Sequence, residues 1–316
     1  MASTPNTHSN IRLGIDLGGT KIEIIALDHN GQQRFRKRTP TPKHPDANSQ
    51  YLLIIDAVQA LINDSEKELG QIDSPLGIGI PGAISLKTGK IKNANTTCLI
   101  GRDFKSDLQQ YLKRDIYLEN DANCFALSEA TDGAGQDAQS VFAVILGTGV
   151  GGGIVINGQL LIGANAITGE WGHNPLPWST EQDQPQQTCY CGKQGCIETY
   201  LSGPGFNKQN QLQFDLQLSS HQVMAQSQPK ALLAYDLYVE RLAKSLAGVI
   251  NILDPNVIVL GGGLSNVDSL YRDVPKRWGE YVFSDEVNTR LVKNIFGDSS
   301  GVRGAAYLAR NHWFVK

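Results

Sequence analysis

Apolar segments with two different spacings alternate along this chain. Residues 11–27 and 141–156 are rich in β-branched side chains and are each interrupted by glycines, which predicts two pairs of strands. Residues 50–69 and 231–253 are largely apolar over lengths that are typical of helices. Strands that alternate with helices in this way indicate an α/β fold.

Shorter segments complete the predicted elements. We predict strands at 76–80, 116–118 and 257–260, and helices at 105–114, 122–130 and 301–310. Two polar stretches lie among them. Residues 174–188 predict a long loop, and the glutamine-rich residues 209–228 predict a surface insertion with weak helix.

The two glycine-interrupted segments resemble each other. Each runs from a strand through a glycine turn into a β-branched strand and then to an Asn-Gly pair, at Asn30-Gly31 and Asn157-Gly158. Copies about 130 residues apart indicate a duplicated α/β architecture. The predicted division is a polar tail at 1–10, a small domain at 11–120 on which a final helix at about 301–316 packs back, and a large domain at 121–300.

Composition and charge exclude several classes of protein. Apolar residues make up 41% of the 316, which rules out a disordered chain. The 28 lysines and arginines are balanced by 31 aspartates and glutamates, so we expect no nucleic-acid or membrane partner. The first ten residues are polar, and no apolar run reaches the roughly 18 residues of a membrane span, so we expect a cytoplasmic protein.

Many of the 33 glycines gather where predicted strands end. The three clusters are Asp16-Leu-Gly-Gly-Thr-Lys21, Leu146-Gly-Thr-Gly-Val-Gly-Gly-Gly153 and Leu260-Gly-Gly-Gly263. Backbone amides without side chains approach phosphate oxygens closely, so the three turns together predict a nucleotide site, with Thr20 and Thr148 as hydroxyl donors. A single turn of this kind also forms without any ligand. Neither a Walker A motif nor a dinucleotide fold fits, because the first turn lacks the spacing and a β-branched segment follows the second.

Three of the five cysteines crowd into residues 189–196, and they are Cys189, Cys191 and Cys196. Zinc takes four tetrahedral ligands, and His173 is the nearest suitable fourth donor. A complete set of three thiolates and one imidazole leaves no open position for water, which predicts a structural zinc ion. We expect the other two cysteines, Cys98 and Cys124, to be small buried hydrophobes.

Carboxylates flank this cysteine cluster and occur again near the first glycine turn. Glu170 and Glu198 would be fixed by a zinc knuckle, and such carboxylates suit hydrogen bonds to the vicinal hydroxyls of a sugar. Asp121 follows a predicted strand and precedes a helix, where it could accept a proton from an attacking hydroxyl. The alternative is that Asn120 or Asp121 simply caps the helix. Asp16 could orient Mg²⁺ or its water shell.

At this point the sequence resembles the ROK family of sugar kinases and repressors over nearly all of residues 11–310. The resemblance rests on the first two glycine turns and on Glu119-Asn-Asp-Ala-Asn123, Gly169-Glu-Trp-Gly-His173 and Cys189-Tyr-Cys-Gly-Lys-Gln-Gly-Cys-Ile-Glu198. It implies an actin-like, ribonuclease-H-like ATPase fold with two related domains flanking a cleft. It also implies a homodimer, since relatives are commonly dimers.

The same resemblance implies a role for each matching residue. Asp121 would be the general base. The ATP site, with Mg²⁺ bridging the phosphates, would comprise Gly14, Asp16, Gly18, Gly19, Thr20, Lys21, Gly147, Thr148, Gly149, Gly151, Gly152, Gly261, Gly262 and Gly263. The sugar site would comprise Gly82, Asn95, Asn120, Asp121, Glu170, His173 and Glu198. The zinc ligands would be His173, Cys189, Cys191 and Cys196, with the other ring nitrogen of His173 left for the sugar.

Three further segments bear on the sugar. Asn93-Ala-Asn95, Gly172-His-Asn-Pro-Leu-Pro-Trp178 and Gly297-Asp-Ser-Ser-Gly-Val-Arg-Gly304 resemble the fructokinases, especially the manno(fructo)kinase type. The hypothesis is therefore ATP-dependent conversion of fructose to fructose 6-phosphate. The alternatives are an N-acetylglucosamine kinase or glucokinase of the same family, or a sugar-sensing protein without catalysis. A repressor does not fit, because ten residues before Ile11 are too few for a helix-turn-helix.

Overall fold

A computed structural model describes residues 11–70, 73–94, 96–225 and 228–309, and the backbone of 314–315. The strands are β1 (Arg12–Leu17), β2 (Lys21–Leu27), β3 (Gln33–Pro40), β4 (Leu76–Ile80), β5 (Ala83–Ile84), β6 (Ile91–Lys92), β7 (Ile116–Asn120), β8 (Ser140–Leu146), β9 (Val150–Ile156), β10 (Gln159–Leu161), β11 (Val257–Gly261), β12 (Arg290–Lys293) and β13 (Phe314–Val315).

The helices are α1 (Ala47–Leu69), α2 (Phe104–Leu112), α3 (Asp121–Thr131), α4 (Glu198–Leu201), α5 (Gly203–Phe214), α6 (Ser220–Met224), α7 (Pro229–Leu253), α8 (Leu270–Asp273), α9 (Pro275–Trp278) and α10 (Ser300–Leu308). Among the described residues, no helix has both the length and the apolar character needed to cross a lipid bilayer.

The chain forms two compact units. The first comprises the described parts of Met1–Ser128, Gln159–Ile167 and Ser299–Lys316, and the second comprises Glu129–Gly158 and Thr168–Asp298. Most of α3 therefore belongs to the first unit, whereas the sequence suggested a division between residues 120 and 121. Helix α10 also belongs to the first unit, and it ends at Leu308 within the described residues.

The first unit is built on a mixed sheet with the strand order β3-β2-β1-β4-β7. Strands β1, β2 and β3 are antiparallel neighbours, and β4 and β7 continue the sheet parallel to β1. Helix α10 packs directly on its centre, because a methyl group on Gly14 would lie 2.2 Å from the Val302 carbonyl oxygen and one on Gly77 would lie 1.8 Å from that of Ala305. Only glycine permits so close an approach of helix and strand.

The sheet of the second unit repeats this topology. Strand β8 pairs antiparallel with β9 and parallel with β11, which in turn pairs parallel with β12. Strands β8, β9, β11 and β12 are thus paired in the same way as β1, β2, β4 and β7 of the first unit. This repeat agrees with the duplicated architecture that the sequence predicts. The long helix α7 contributes much of the apolar core of this unit, including Tyr238, Leu242 and Leu246. Strands β10 and β13, which belong to segments of the first unit, form a parallel pair.

The glutamine-rich segment was interpreted wrongly as a surface insertion with weak helix. It contains the second half of α5 and the whole of α6, and Leu216, Val223 and Met224 lie in the core cluster of the second unit. Two of its amides are also buried, since Gln209 is 0% exposed and Asn210 is 1% exposed. Its polar composition concealed a set of apolar residues at helical spacing, which is the feature that drives burial.

Candidate active site and metal centre

Two acidic residues lie in one row across the ends of parallel strands of the first unit. Asp16 on β1, Gly79 on β4 and Glu119 on β7 stand in register across the sheet. Helix α10 begins beside this row, because a methyl group on Gly301 would lie 3.6 Å from Asp16 Oδ2. The carboxyl ends of parallel strands and the first turns of helices are the usual places for anionic ligands and their cations.

Asn120 and Asp121 join β7 to α3. Asn120 Oδ1 accepts a hydrogen bond from the Ala122 backbone N–H at 2.9 Å, and its Nδ2 donates to the Gly82 carbonyl oxygen at 2.9 Å. Asn120 therefore caps the helix and ties the turn at Gly82 to it. Asp121 is the first residue of α3, and its Oδ1 also accepts from the Ala122 N–H, at 2.8 Å. Asn120 therefore supplies the helix cap, and the prediction of Asp121 as general base does not compete with that role.

Asp16 has the most perturbed carboxyl group of this site. Burial raises the pKa of Asp16 to about 7, and the negative charges of Asp121 and Glu23 add to the effect. The Asp121 charge contributes to the raised pKa of Asp16, so the two carboxylates influence each other electrostatically. Two acids in such a position favour a cation close to them, because a cation relieves both repulsion and desolvation.

The first glycine turn closes the β1–β2 hairpin. The Gly18 N–H donates to the Lys21 carbonyl oxygen at 2.9 Å, while Thr41 and Lys43 bond the carbonyl oxygens of Gly18 and Gly19 from outside. The turn leaves Thr20 exposed. Gly14 does not belong to this turn, because it lies inside β1 and the space above it is filled by α10.

The other two glycine clusters lie together in the second unit. The Gly147 N–H donates to the Gly149 carbonyl oxygen at 3.0 Å, which closes a tight turn between β8 and β9 with Thr148 exposed at its tip. Gly262 has a φ of +80°, and a methyl group on it would lie 2.5 Å from the Leu146 carbonyl oxygen at the end of β8. Gly262 therefore lies next to the end of β8, from which the turn at 147–149 begins.

Two predicted turn residues are strand residues instead. Gly151 and Gly152 belong to β9 and pair with Ile145 and Val144 of β8. A methyl group on Gly152 would lie 2.9 Å from the Phe142 ring. These two glycines are therefore strand residues, and only residues 147–149 of this cluster form a turn.

The four predicted zinc ligands converge in the second unit. Nitrogen of His173 and the sulfurs of Cys189, Cys191 and Cys196 all lie within 4.8 Å of one another. The Cys191–Cys196 sulfur separation is 3.7 Å, and Cys189 Sγ lies 3.5 Å from His173 Nδ1. A tetrahedral zinc ion with ordinary bond lengths requires about 3.8 Å and about 3.6 Å for these separations. The donor set and these two separations therefore fit zinc.

The pKa values of the three clustered thiols shift in different directions. Burial and the neighbouring Cys191 thiol raise the pKa of Cys196 to about 12, and burial also raises that of Cys189. A hydrogen bond from the Lys193 backbone N–H lowers the pKa of Cys191 instead, and a metal ion that binds these thiols must displace their protons.

The predicted sugar-binding residues of this unit surround the cysteine cluster. Glu170 Oε2 lies 3.9 Å from His173 Nε2, and Glu198 Oε1 lies 4.0 Å from Cys189 Sγ. The second oxygen of Glu198 accepts a hydrogen bond from the Val150 N–H at 2.9 Å. Asn95, the remaining predicted sugar contact, lies outside the described residues.

The structure adds Tyr190, which sequence reasoning missed. Its hydroxyl lies 2.9 Å from His173 Nε2, and its ring meets the imidazole edge to face. Because Tyr190 stands between the ligands Cys189 and Cys191, its position in the motif was a signal that could have identified it.

Family comparison now bears on this arrangement. Residues 12–312 match the ROK family. This chain belongs to the ROK family. The family resemblance drawn from the motifs is thereby confirmed, and so is the actin-like α/β fold class.

Several ROK proteins are similar over nearly the whole chain. The N-acetyl-D-glucosamine kinases of Yersinia pseudotuberculosis serotype IB and Photobacterium profundum are each 38% identical over 302 residues, which cover 93% of this chain and 97% and 98% of theirs. The structure of a ROK hexokinase from Thermus thermophilus matches with a TM-score of 0.81 at 27% identity, covering 94% of this chain and 97% of that one. A Streptomyces griseus ROK glucokinase in complex with glucose and AMPPNP matches with a TM-score of 0.74 at 26% identity, covering 95% and 99%.

Proposed function

We propose that this ROK protein is an ATP-dependent sugar kinase whose acceptor is N-acetyl-D-glucosamine. The observation that carries the acceptor is the 38% identity to N-acetyl-D-glucosamine kinases over 93% of the chain. The nucleotide is supported by the AMPPNP and glucose bound to the Streptomyces griseus relative. Fructose, suggested by Asn93-Ala-Asn95 and residues 172–178, becomes the second candidate acceptor, because the relatives support N-acetyl-D-glucosamine better.

Asp121 is the proposed general base. It opens α3 at the carboxyl end of β7, beside a capping residue that fixes the backbone. A carboxylate held there can accept the proton of a sugar hydroxyl while the hydroxyl oxygen attacks the γ-phosphorus, and ADP leaves. Asp16 faces the same electrostatic environment, and we assign it to the Mg²⁺ that accompanies ATP. A cation there would release the proton that burial otherwise retains on Asp16.

A structural zinc ion is proposed for His173, Cys189, Cys191 and Cys196. When bound, zinc supplies fixed geometry rather than reactive water, since four protein ligands fill its coordination. The chain's own residues then do the binding, because Glu170, His173 and Glu198 project polar atoms around the cluster. Carboxylates and an imidazole at such spacing can hold neighbouring hydroxyls of a sugar.

Cellular location and assembly remain proposals as well. Three free thiols arranged as a metal site are typical of a reducing compartment, which favours the cytoplasm. The homodimer implied by the family resemblance stays a prediction, and size determination in solution tests it.

ADP release measured over N-acetyl-D-glucosamine, fructose, mannose and glucose tests the proposed function. We expect kcat/KM to be highest for N-acetyl-D-glucosamine. The highest value for fructose would instead support the hypothesis drawn from the sequence motifs. Sugar binding without ADP release from any acceptor would indicate a sugar-sensing protein. The Asp121→Asn protein, purified identically, is the control for contaminating kinases.

A further inference from the structure

A clamp joins the proposed acceptor site to the glycine turn in the second unit. Helix α4 begins at Glu198, whose Oε2 accepts a hydrogen bond from the Val150 N–H at 2.9 Å. Five residues later, the Gly203 N–H donates to the Gly147 carbonyl oxygen at 2.8 Å. The turn at 147–149 is therefore held on both sides by one short segment, and Glu198 supplies one of the two contacts.

The same carboxylate also faces the cysteine cluster. Glu198 Oε1 lies 4.0 Å from Cys189 Sγ. One oxygen of this side chain therefore lies near the cysteine cluster, and the other bonds the Val150 N–H beside the glycine turn. An ionised carboxylate accepts several hydrogen bonds and can bridge two partners without leaving either. A group that holds a backbone amide of the turn with one oxygen has the other available to a sugar hydroxyl.

We propose that Glu198 couples acceptor binding to nucleotide binding, acting as a positioning residue for the turn at 147–149. This inference rests on the proposed function. A sugar that fixes the Glu198 carboxylate also fixes the Val150 N–H and the turn beside it, so the turn is ordered before the nucleotide arrives. Because coupling is reciprocal, a bound nucleotide strengthens acceptor binding by the same factor.

Two glycines of the turn provide a matched pair of variants. A methyl group on Gly149 would lie 2.8 Å from Glu198 Oε2, whereas one on Gly147 meets nothing nearer than an Ile145 carbon at 3.8 Å. Neither position has a left-handed φ, so alanine is compatible with the backbone at both. Gly149→Ala must therefore move the end of the Glu198 side chain, and Gly147→Ala need not, although both add a methyl group to the same turn.

The experiment measures N-acetyl-D-glucosamine and AMPPNP binding by calorimetry, each ligand alone and in the presence of the other. Couplings between sites typically change affinity by about 5- to 150-fold, and we expect the lower end in the wild type. Gly149→Ala should weaken acceptor binding in the absence of nucleotide by about 5-fold and bring the coupling factor close to one. Gly147→Ala adds a methyl group to the proposed nucleotide turn without reaching Glu198, so it should weaken nucleotide binding but not acceptor binding measured in the absence of nucleotide.

Equal acceptor affinity of the two variants in the absence of nucleotide would overturn the inference, as would a wild type that binds both ligands without coupling. Failure of the proposed function has a different signature, because then the wild type either binds none of the four sugars or binds one of them without releasing ADP. If fructose or another of these sugars binds in place of N-acetyl-D-glucosamine, the same comparison is made with that sugar. Retained zinc in both variants, measured by elemental analysis, excludes damage to the cysteine cluster as the cause.

Discussion

The Tyr190 hydroxyl lies 2.9 Å from His173 Nε2, and the two rings meet edge to face with their centroids 5.0 Å apart. His173 Nδ1 faces Cys189 on the opposite side. Both ring nitrogens thus have partners, so a sugar that binds Nε2 must first displace the tyrosine. Tyr190 is 79% exposed, and its ring can leave without opening a cavity.

Tyr190→Phe should therefore strengthen acceptor binding. Removal of the hydroxyl eliminates one competing hydrogen bond, which is typically worth about 1 kcal/mol, so we expect a KM for the acceptor about 2- to 10-fold lower with little change in kcat. Steady-state kinetics with saturating ATP measures this. Tyr111→Phe is the control, since Tyr111 is also exposed and its hydroxyl bonds only a surface aspartate, Asp56, at 2.8 Å. A higher KM would show that the Tyr190 hydroxyl binds the sugar itself.

Asp121→Asn should remove most turnover while sparing acceptor binding. An amide keeps the shape and can still accept the Ala122 N–H bond, but it cannot take a proton from the attacking hydroxyl. General-base catalysis contributes about 10²- to 10⁴-fold, and we expect kcat to fall by that order. Rapid-mix turnover and direct sugar titration separate the two effects. The exposed Asp137→Asn substitution should leave both unchanged, and near-normal turnover of the Asp121 variant would exclude it as the base.

Cys191→Ser should release zinc and thereby weaken acceptor binding. Cys191 is exposed, so its replacement leaves no cavity, and any loss of stability must come through the metal. Elemental analysis, thermal unfolding and sugar titration of the purified protein measure its zinc content, its stability and its acceptor affinity. Cys98→Ser is the control for metal content, because Cys98 belongs to the core of the first unit and is distant in sequence from His173. Equal metal content in the two variants would exclude the proposed site.

Local sequence signals predicted the longer central elements, missed β3, β12 and α6, and predicted the functions of individual glycines poorly. The strand at 76–80 was predicted with the bounds that β4 has, because its apolar run is closed by a Pro-Gly turn. Gly152 was assigned to a phosphate turn, yet it lies in β9, where a methyl group on Gly169 would come within 2.1 Å of its carbonyl oxygen. A sequence shows that glycine is needed, but tertiary packing decides whether a ligand or another backbone comes close.

Long-range pairing explains the other limits of the sequence-based interpretation. The cysteine spacing predicted a cluster that the structure brings together, because short loops constrain such ligands strongly. The contact between Glu198 and Val150 joins residues 48 positions apart, and no local pattern announces it. Asp183 is a third case, since it lies in a stretch predicted only as a polar loop and yet is fully buried.

Asp183 anchors that loop through two cations of α7. Its carboxylate accepts hydrogen bonds from Arg241 Nε at 2.8 Å and Lys244 Nζ at 2.7 Å, and all three side chains are at most 3% exposed. Burial alone would raise the pKa of Asp183, but the bonds from Lys244 and Arg241 outweigh it and hold the pKa below its usual value. The loop joins His173 to Cys189, so this ion cluster fixes the segment between two zinc ligands.

Asp183→Asn should destabilise the second unit strongly at neutral pH. Loss of one partner leaves buried charge uncompensated, which typically costs about 3–5 kcal/mol. Since the pKa is lowered on folding, the wild-type advantage exists above about pH 4 and disappears as pH falls through the folded pKa. Urea unfolding at pH 7 and at pH values below 4 measures both effects. Asp268→Asn, at an exposed pair with Lys293, should cost about 1 kcal/mol or less.

Asp16→Asn should have the opposite pH dependence. Burial and the Asp121 charge raise the pKa of Asp16 from 3.8 to about 7. The wild type therefore loses stability as pH rises from 4 to 7, because the buried carboxyl group resists losing its proton in the folded protein. The amide has no charge to hold. The variant should match the wild type near pH 4 and exceed it at pH 8 by at most about 4 kcal/mol, measured without Mg²⁺ or nucleotide.

Added Mg²⁺ and AMPPNP should then stabilise the wild type at pH 8 more than the Asp16 variant, because only the carboxylate can interact with the cation. Asp46→Asn is a control of opposite sign. A hydrogen bond from the Ser49 N–H lowers the pKa of Asp46, so that substitution should lose stability relative to the wild type as pH rises. An Asp16 variant whose stability relative to the wild type does not change between pH 4 and 8 would show that this carboxyl titrates normally, and Asp16 would then lose its assignment to the cation.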